Sequence, residues 1–150
     1  VDAGLVEGGF VGARAIWSGE QLKTAVLTRA EASAVGLTAI GGLINPITQN
    51  EDSALVIQFG PDGELINAPI APGLYEPVPV ISTNVIEFGE TVTVEGPGVL
   101  AFDGERERVL RKGQTAKLQV KRNGPHVVDV HATLTKAAQM GLFLINKTGA

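Results

Sequence analysis

Short apolar runs, each closed by glycine or proline, make up most of the chain. The segment TAKLQVKR (115–122) alternates apolar and polar residues, which predicts a strand with one buried and one solvated face. Seven further segments have the composition of strands bounded by turn residues: 10–17, 24–30, 54–60, 84–89, 91–96, 98–102 and 105–110. The pattern predicts a mainly β fold, a two-layer antiparallel β-sandwich with one or two short helices.

The strands predicted at 98–102 and 105–110 lie on either side of an Asp103-Gly104 pair within VLAFDGERERVL (99–110). Asp-Gly between two apolar-leaning runs is a strong hairpin signal, because tight hairpin turns need residues that accept positive φ. This stretch is therefore predicted to be a β-hairpin, whatever chemistry it carries.

The strongest helix signal is VDVHATLTKAAQMGLF (128–143). Asp129 is placed to cap its start, and Gly141 stands where a left-handed C-cap belongs. Helical spacing puts four apolar residues on one face: Val130, Leu134, Ala137 and Ala138. An amphipathic helix near the end of the chain is predicted.

Three other segments give weaker signals. SGEQL (18–22) has the spacing of a capping box, which predicts a short helical turn. The stretch 31–47 is ambiguous, because its alanines favour a helix and its glycines interrupt one. The proline-rich stretch 67–80 is predicted to be an extended connector or an edge strand, since proline donates no ladder hydrogen bond.

Composition limits the class of protein. The 150 residues are 44% hydrophobic and 19% charged, which predicts one folded domain over 1–150. A net charge of −4 argues against a nucleic-acid binder, and the absence of cysteine excludes disulfides and thiolate metal sites. No apolar stretch approaches the length of a membrane span, so we expect a cytoplasmic protein. The chain begins at Val1 and has Met140 as its one methionine, which favours a domain of a longer protein.

Three patterns suggest chemistry, and each also has a structural interpretation. The pair Gly41-Gly42 would let a ligand backbone or phosphate approach closely, or would form a tight turn between packed elements. Asp103 and Glu105 are two carboxylates that could share a cation or accept a hydroxyl proton. Seven of the twelve basic residues fall between 106 and 122, as a phosphate-attracting patch or as the solvated face of a hairpin.

Three segments, read in order, resemble the C-terminal β-domain of the NAD kinase superfamily: TAIGGLINPI (38–47), APIAPGLYEPVPV (68–80) and GVLAFDGERERVLRKGQTAKLQVKR (98–122). The chain is most similar to the ATP-NAD kinase-like proteins grouped with acetoin catabolism protein X. Five segments of this chain look typical of that branch: FVGARAIW, AVGLTAIGG, APIAPGL, EGPGVLAFDGERE and GPHVVDV. This resemblance extends over nearly the whole chain.

The resemblance implies phosphoryl transfer from ATP, with Mg²⁺, to a hydroxyl acceptor such as NAD. It implies that Thr38, Gly41, Gly42 and Asn45 bind the cofactor or acceptor. By the same resemblance Glu105 would be the proton acceptor, and Asp103 would be a catalytic residue and a metal ligand.

The chain also departs from the kinases. It has no Gly-Gly-Asp-Gly-Thr motif and no Thr-Pro-Thr-Gly before Thr38, and Asn45 and Gly73 stand where the kinases tend to have histidine. The phosphate donor would then bind to an N-terminal α/β domain outside these residues, and the chain alone is expected to be inactive.

Two other functions stay open. A non-catalytic binding or assembly domain derived from a kinase would use the proline-rich stretch 67–80 as an interface, and a homo-oligomer is expected in either case. A lipid-directed kinase ancestry rests on Asp-Gly-Glu at 103–105 alone.

Overall fold

The computed structural model describes residues 2–7, 18–48, 50–102, 106–124 and 126–145. Its elements, in chain order, are β1 (Asp2–Val6), a 3₁₀ turn (Gly19–Gln21), β2 (Leu22–Leu27), α1 (Leu37–Ile44), β3 (Ser53–Ala71), β4 (Leu74–Glu87), β5 (Thr91–Glu95), β6 (Gly98–Phe102), β7 (Arg106–Leu110), β8 (Thr115–Gln119) and α2 (Val130–Gln139).

Two antiparallel sheets organise the domain. The larger has six strands in the order β4-β3-β2-β1-β6-β7, and β5 and β8 form the smaller one. The predicted mainly β sandwich with short helices is therefore confirmed. The strand predicted at 10–17 and the Asp103-Gly104 turn lie outside the described residues.

Both faces of the six-stranded sheet are covered. On one face, Leu27 and Leu55 pack in a core with Ile40 of α1. On the other face, a second cluster joins residues of the central strands to Val92 of β5 and Leu118 of β8. Burial of apolar side chains on both sides of the sheet supplies the main stabilisation of the fold.

Strands β3 and β4 form one long hairpin, which includes most of the strands predicted at 54–60 and 84–89 and extends well beyond them. Residues 60–63, Gly-Pro-Asp-Gly, bulge out of β3, because Phe59 and Glu64 both pair with Val80 of β4. Beyond this bulge the hairpin contributes buried residues to the core that contains α1. The proline-rich stretch thus forms the end of β3 and the beginning of β4, and β4 is the edge strand that the prolines indicate.

The C-terminal helix α2 forms as predicted but does not pack as its pattern suggests. The Asp129 carboxylate accepts a hydrogen bond from the Ala132 N–H at 2.8 Å, and Gly141 has φ +68°. No residue of α2 is buried, and Leu134, at the centre of the predicted apolar face, is 51% exposed. Within the described residues, neither α1 nor α2 is long and apolar enough to span a membrane.

Candidate functional site

The described candidate residues are spread along α1. Thr38 lies in its first turn, Gly41 and Gly42 in its second half, and Asn45 is the C-cap residue, whose N–H donates to the Gly41 carbonyl at 2.8 Å. With a rise of about 1.5 Å per residue, Thr38 and Asn45 are roughly 10 Å apart along the axis. The structure therefore places them at opposite ends of the helix, and a shared role in cofactor or acceptor binding stays a prediction.

The first turn of α1 lies against a polar cluster that we call the Asp2 cluster: Asp2, Arg29, Glu31 and Thr38. The Thr38 hydroxyl donates to the Asp2 carboxylate at 2.7 Å, and the Glu31 N–H donates to the Thr38 carbonyl at 3.0 Å. The Arg29 guanidinium donates to the Glu31 carboxylate at 2.7 Å. Four residues from β1, from the segment after β2 and from α1 thus meet at one place.

Strand pairing explains this meeting. Asp2 begins β1 and pairs with Leu27, the last residue of β2, so Arg29 follows close to Asp2. Helix α1 begins after Gly36, which has φ +73° and provides no side-chain cap. Thr38 therefore turns its hydroxyl toward β1 at an N-terminus that carries the partial positive charge of the helix dipole.

The Asp2 cluster has a net negative charge, because it contains two carboxylates and one guanidinium. The hydrogen bond from Arg29 to Glu31, followed by the Glu31 charge, raises the pKa of Arg29, and the Asp2 charge adds to this effect. Arg29 is thus protonated, and its charge is already paired with that of Glu31. The cluster thus combines the Asp2 carboxylate, which accepts from Thr38, with the Thr38 hydroxyl.

Gly41 and Gly42 face protein atoms at close range. A Cβ on Gly42 would lie 2.2 Å from the Ala32 nitrogen and 2.2 Å from the Glu31 carbonyl carbon, and one on Gly41 would lie 2.5 Å from Leu27 Cδ1. Both glycines are buried inside α1 and not in a turn. Their packing gives a structural reason for glycine at both positions, and a role in ligand binding stays a prediction.

Asp103 and Glu105, the predicted catalytic and metal-binding residues, lie outside the described residues. The two flanking strands form as predicted: β6 and β7 are antiparallel, and their last pair is Phe102 with Arg106. Within the part of the chain that the structure describes, no group of three or more His, Asp or Glu side chains could hold a metal ion. The roles of Asp103 and Glu105 stay predictions.

The basic residues between 106 and 122 are all exposed. One of them has a clear structural role: Arg122 forms an ion pair with Asp52, donates to the Glu51 carbonyl at 3.0 Å and lies 5.4 Å from the centre of the Phe88 ring. These contacts attach the segment after β8 to the turn before β3.

Comparison with known proteins gives one family. A family model described as the acetoin catabolism protein X C-terminal domain matches residues 1–123, which include α1 and the eight strands of the part of the chain that the structure describes. The chain is 33% identical over 143 residues to a curated protein named acetoin catabolism protein X from Cupriavidus necator. That alignment covers 93% of this chain and 40% of the relative, so the chain spans less than half of the relative's length. No solved structure matches.

Proposed function

Because the chain belongs to the family of the acetoin catabolism protein X C-terminal domain, we propose that it is the acceptor-binding and oligomerisation domain of an ATP-NAD kinase-like phosphotransferase. In this proposal a longer cytoplasmic protein transfers a phosphoryl group from ATP, with Mg²⁺, to a hydroxyl acceptor such as NAD. The observation that supports acceptor binding is the Asp2 cluster, where the Thr38 hydroxyl and the Asp2 carboxylate lie 2.7 Å apart at the start of α1.

The described residues fit a hydroxyl acceptor better than nucleotide phosphates. Asp2 and Glu31 would repel a phosphate at the α1 N-terminus, and the Arg29 guanidinium is engaged by Glu31. A carboxylate and a threonine hydroxyl are instead suitable hydrogen-bond partners for a ribose hydroxyl. We therefore assign neither ATP nor Mg²⁺ to the described residues.

The remaining roles in the proposal come from the resemblance to the kinases. Glu105 is proposed to accept the proton of the acceptor hydroxyl, which needs a carboxylate within hydrogen-bond reach of that oxygen. Asp103, two residues earlier, is proposed as the metal ligand. The donor site is proposed to belong to an N-terminal α/β domain of the longer protein.

Titration of the ¹⁵N-labelled 150-residue chain with NAD tests acceptor binding. We expect saturable shifts in the amide resonances of Thr38 and its neighbours and of Asp2, with Asn45 much less affected because it lies at the other end of α1. Thr38→Val keeps the side-chain shape and removes the hydroxyl, so it is expected to weaken binding about tenfold. Spectra that do not change at millimolar NAD would contradict acceptor binding by this domain.

Turnover in the longer protein tests the phosphotransferase assignment. Glu105→Gln is expected to abolish phosphoryl transfer and to leave the melting temperature unchanged, because it removes a proton acceptor without changing the side-chain shape. Glu107→Gln, two residues further along the same hairpin, is the matched control and should keep its turnover. Equal turnover of wild type and Glu105→Gln would remove Glu105 from the mechanism.

A second candidate is a non-catalytic binding or assembly domain derived from a kinase. The observation that favours it is exposed apolar surface on the β3–β4 hairpin, where Leu65 is 68% exposed and Tyr75 61%, together with the exposed face of α2. This candidate predicts self-association with no response to NAD, so the titration above separates the two.

A further inference from the structure

Strand β4 leaves one side of its backbone unpaired in the described chain. It is the first strand of the six-stranded sheet and pairs with β3 alone. The other edge of the sheet, β7, begins with Arg-Glu-Arg, and charges on an edge strand oppose pairing with another chain. In β4, residues 77–86 (PVPVISTNVI) contain no charge. Charges therefore oppose pairing with another chain at β7, and residues 77–86 of β4 have no such charges.

The hydrogen bonds at the end of β4 show which residues face away from β3. In an antiparallel pair, successive residues direct their N–H and C=O groups alternately toward and away from the partner strand. The Phe88 N–H donates to the Asp52 carbonyl at 3.0 Å, toward β3. The Glu87 N–H instead donates to the Glu90 carboxylate at 2.7 Å. Because the register is regular from 82 to 87, the N–H and C=O groups of Val85 and Thr83 also face outward. Ile81 is the extra residue of a bulge, since Ser82 pairs with Gln58 and Val80 with Phe59, so Ile81 has no partner in β3.

Both ends of this outward side are closed. The Glu90 carboxylate occupies the Glu87 N–H, and Pro77 and Pro79 have no N–H to offer. Between them lies a stretch that we call the open edge, residues 81–85. Its terminal side chains are apolar and exposed, with Ile81 at 57% and Val85 at 46%.

We propose that a second copy of this chain pairs with the open edge, antiparallel and about a two-fold axis at Thr83. In this register Thr83 of one copy lies opposite Thr83 of the other. Ile81 of each copy lies opposite Val85 of the other, so that each apolar side chain meets another. The outward N–H and C=O groups of Thr83 and Val85 then find partners in the other copy.

The register also explains why the occupant is a second copy. With Thr83 on the axis, Pro79 of one copy comes opposite Glu87 of the other. Pro79 has no N–H and that of Glu87 is bonded to Glu90, so the pairing ends at both sides without an unpaired donor. An identical strand thus has an open edge of matching length and sequence, which gives an isologous dimer. The inference deepens the oligomerisation part of the proposed function and does not depend on phosphoryl transfer.

Light scattering coupled to size exclusion, at about 100 µM chain, tests this dimer. We expect twice the 15.6 kDa mass of the chain for the wild type and for Thr83→Val, which keeps a β-branched side chain. Thr83→Lys places like charges opposite each other at the axis and is expected to run at the mass of one chain. Thr83→Pro removes the outward N–H and should do the same, with circular dichroism reporting that each variant is folded.

A chain that ends at Asn123 is the control for the exposed apolar face of α2. It keeps the open edge and is expected to remain dimeric. A monomeric wild type, a folded Thr83→Lys or Thr83→Pro variant that stays dimeric, or a monomeric chain 1–123 would each overturn the proposal, and the last would assign association to the C-terminal segment. A monomer that still binds NAD would overturn the dimer and leave acceptor binding standing.

Discussion

Replacement of Gly42 by alanine is expected to lower the free energy of unfolding by about 3 kcal/mol, near the upper end of the usual cost of overpacking. The added Cβ would lie 2.2 Å from the Ala32 nitrogen and 2.5 Å from Glu31 Cα. Both are backbone atoms, so the segment before α1 would have to move. That segment is held by the hydrogen bond from the Glu31 N–H to the Thr38 carbonyl, so the strain would reach the Asp2 cluster.

Two opposing effects decide the sign of this change. Alanine in a helix is favoured over glycine by about 1 kcal/mol, which the backbone clash outweighs. Gly41→Ala should cost less, because its nearest atom is the end of the Leu27 side chain, which can move. Gly124→Ala is the control: a Cβ there has nothing within 4 Å, so we expect a change within about 0.5 kcal/mol. Urea denaturation measures all three, and equal stability of Gly42→Ala and wild type would contradict the packing of α1.

The strands that the sequence predicts are those with a recognisable period or with turn residues at both ends. Strand β8 has such a period, because alternate residues of TAKLQ are half-buried and the others are exposed. Strand β1 was not predicted, because it lies between β2 and β6 and both of its faces are covered. All residues from Ala3 to Val6 are buried, so DAGLV has no alternation to detect.

At two other places, residues 60–63 and 31–47, tertiary contacts determine a structure that the local sequence does not predict. Gly-Pro-Asp-Gly at 60–63 is a strong turn signal, yet β3 continues past it because Val80 pairs on both sides of the bulge. The glycines that made 31–47 ambiguous lie inside α1, where they allow close packing against Leu27 and the backbone at 31–32. In both places, contacts with the rest of the fold determine the secondary structure, which local propensity alone does not.

The candidate site was predictable only in part. Thr38 was predicted through resemblance, and the structure gives it a polar partner in Asp2. Asp2 was not predicted, because it lies 36 residues away in the chain and the pairing of β1 with β2 is what brings it close. The resemblance grouped Asn45 with Thr38, and the structure places Thr38 in the first turn of α1 and Asn45 at its C-cap.

Ile40→Ala is expected to lower the free energy of unfolding by about 3 kcal/mol, within the usual range for removing a large buried aliphatic side chain. Ile40 is 0% exposed and belongs to the core shared by α1 and the central strands. Leu43→Ala, three residues along the same helix, is the matched control. Leu43 is 45% exposed, so its truncation should cost less than about 1 kcal/mol.

This pair of variants also shows what holds the Asp2 cluster together. If apolar packing of Ile40 positions α1, Ile40→Ala should speed hydrogen exchange at the α1 amides, while Leu43→Ala leaves their protection nearly unchanged. The Thr38–Asp2 hydrogen bond would then follow from the packing, since one such bond contributes about 1–3 kcal/mol. Similar losses of stability and protection in both variants would mean that the helix is not anchored at Ile40, and that the polar contacts of Thr38 set its position.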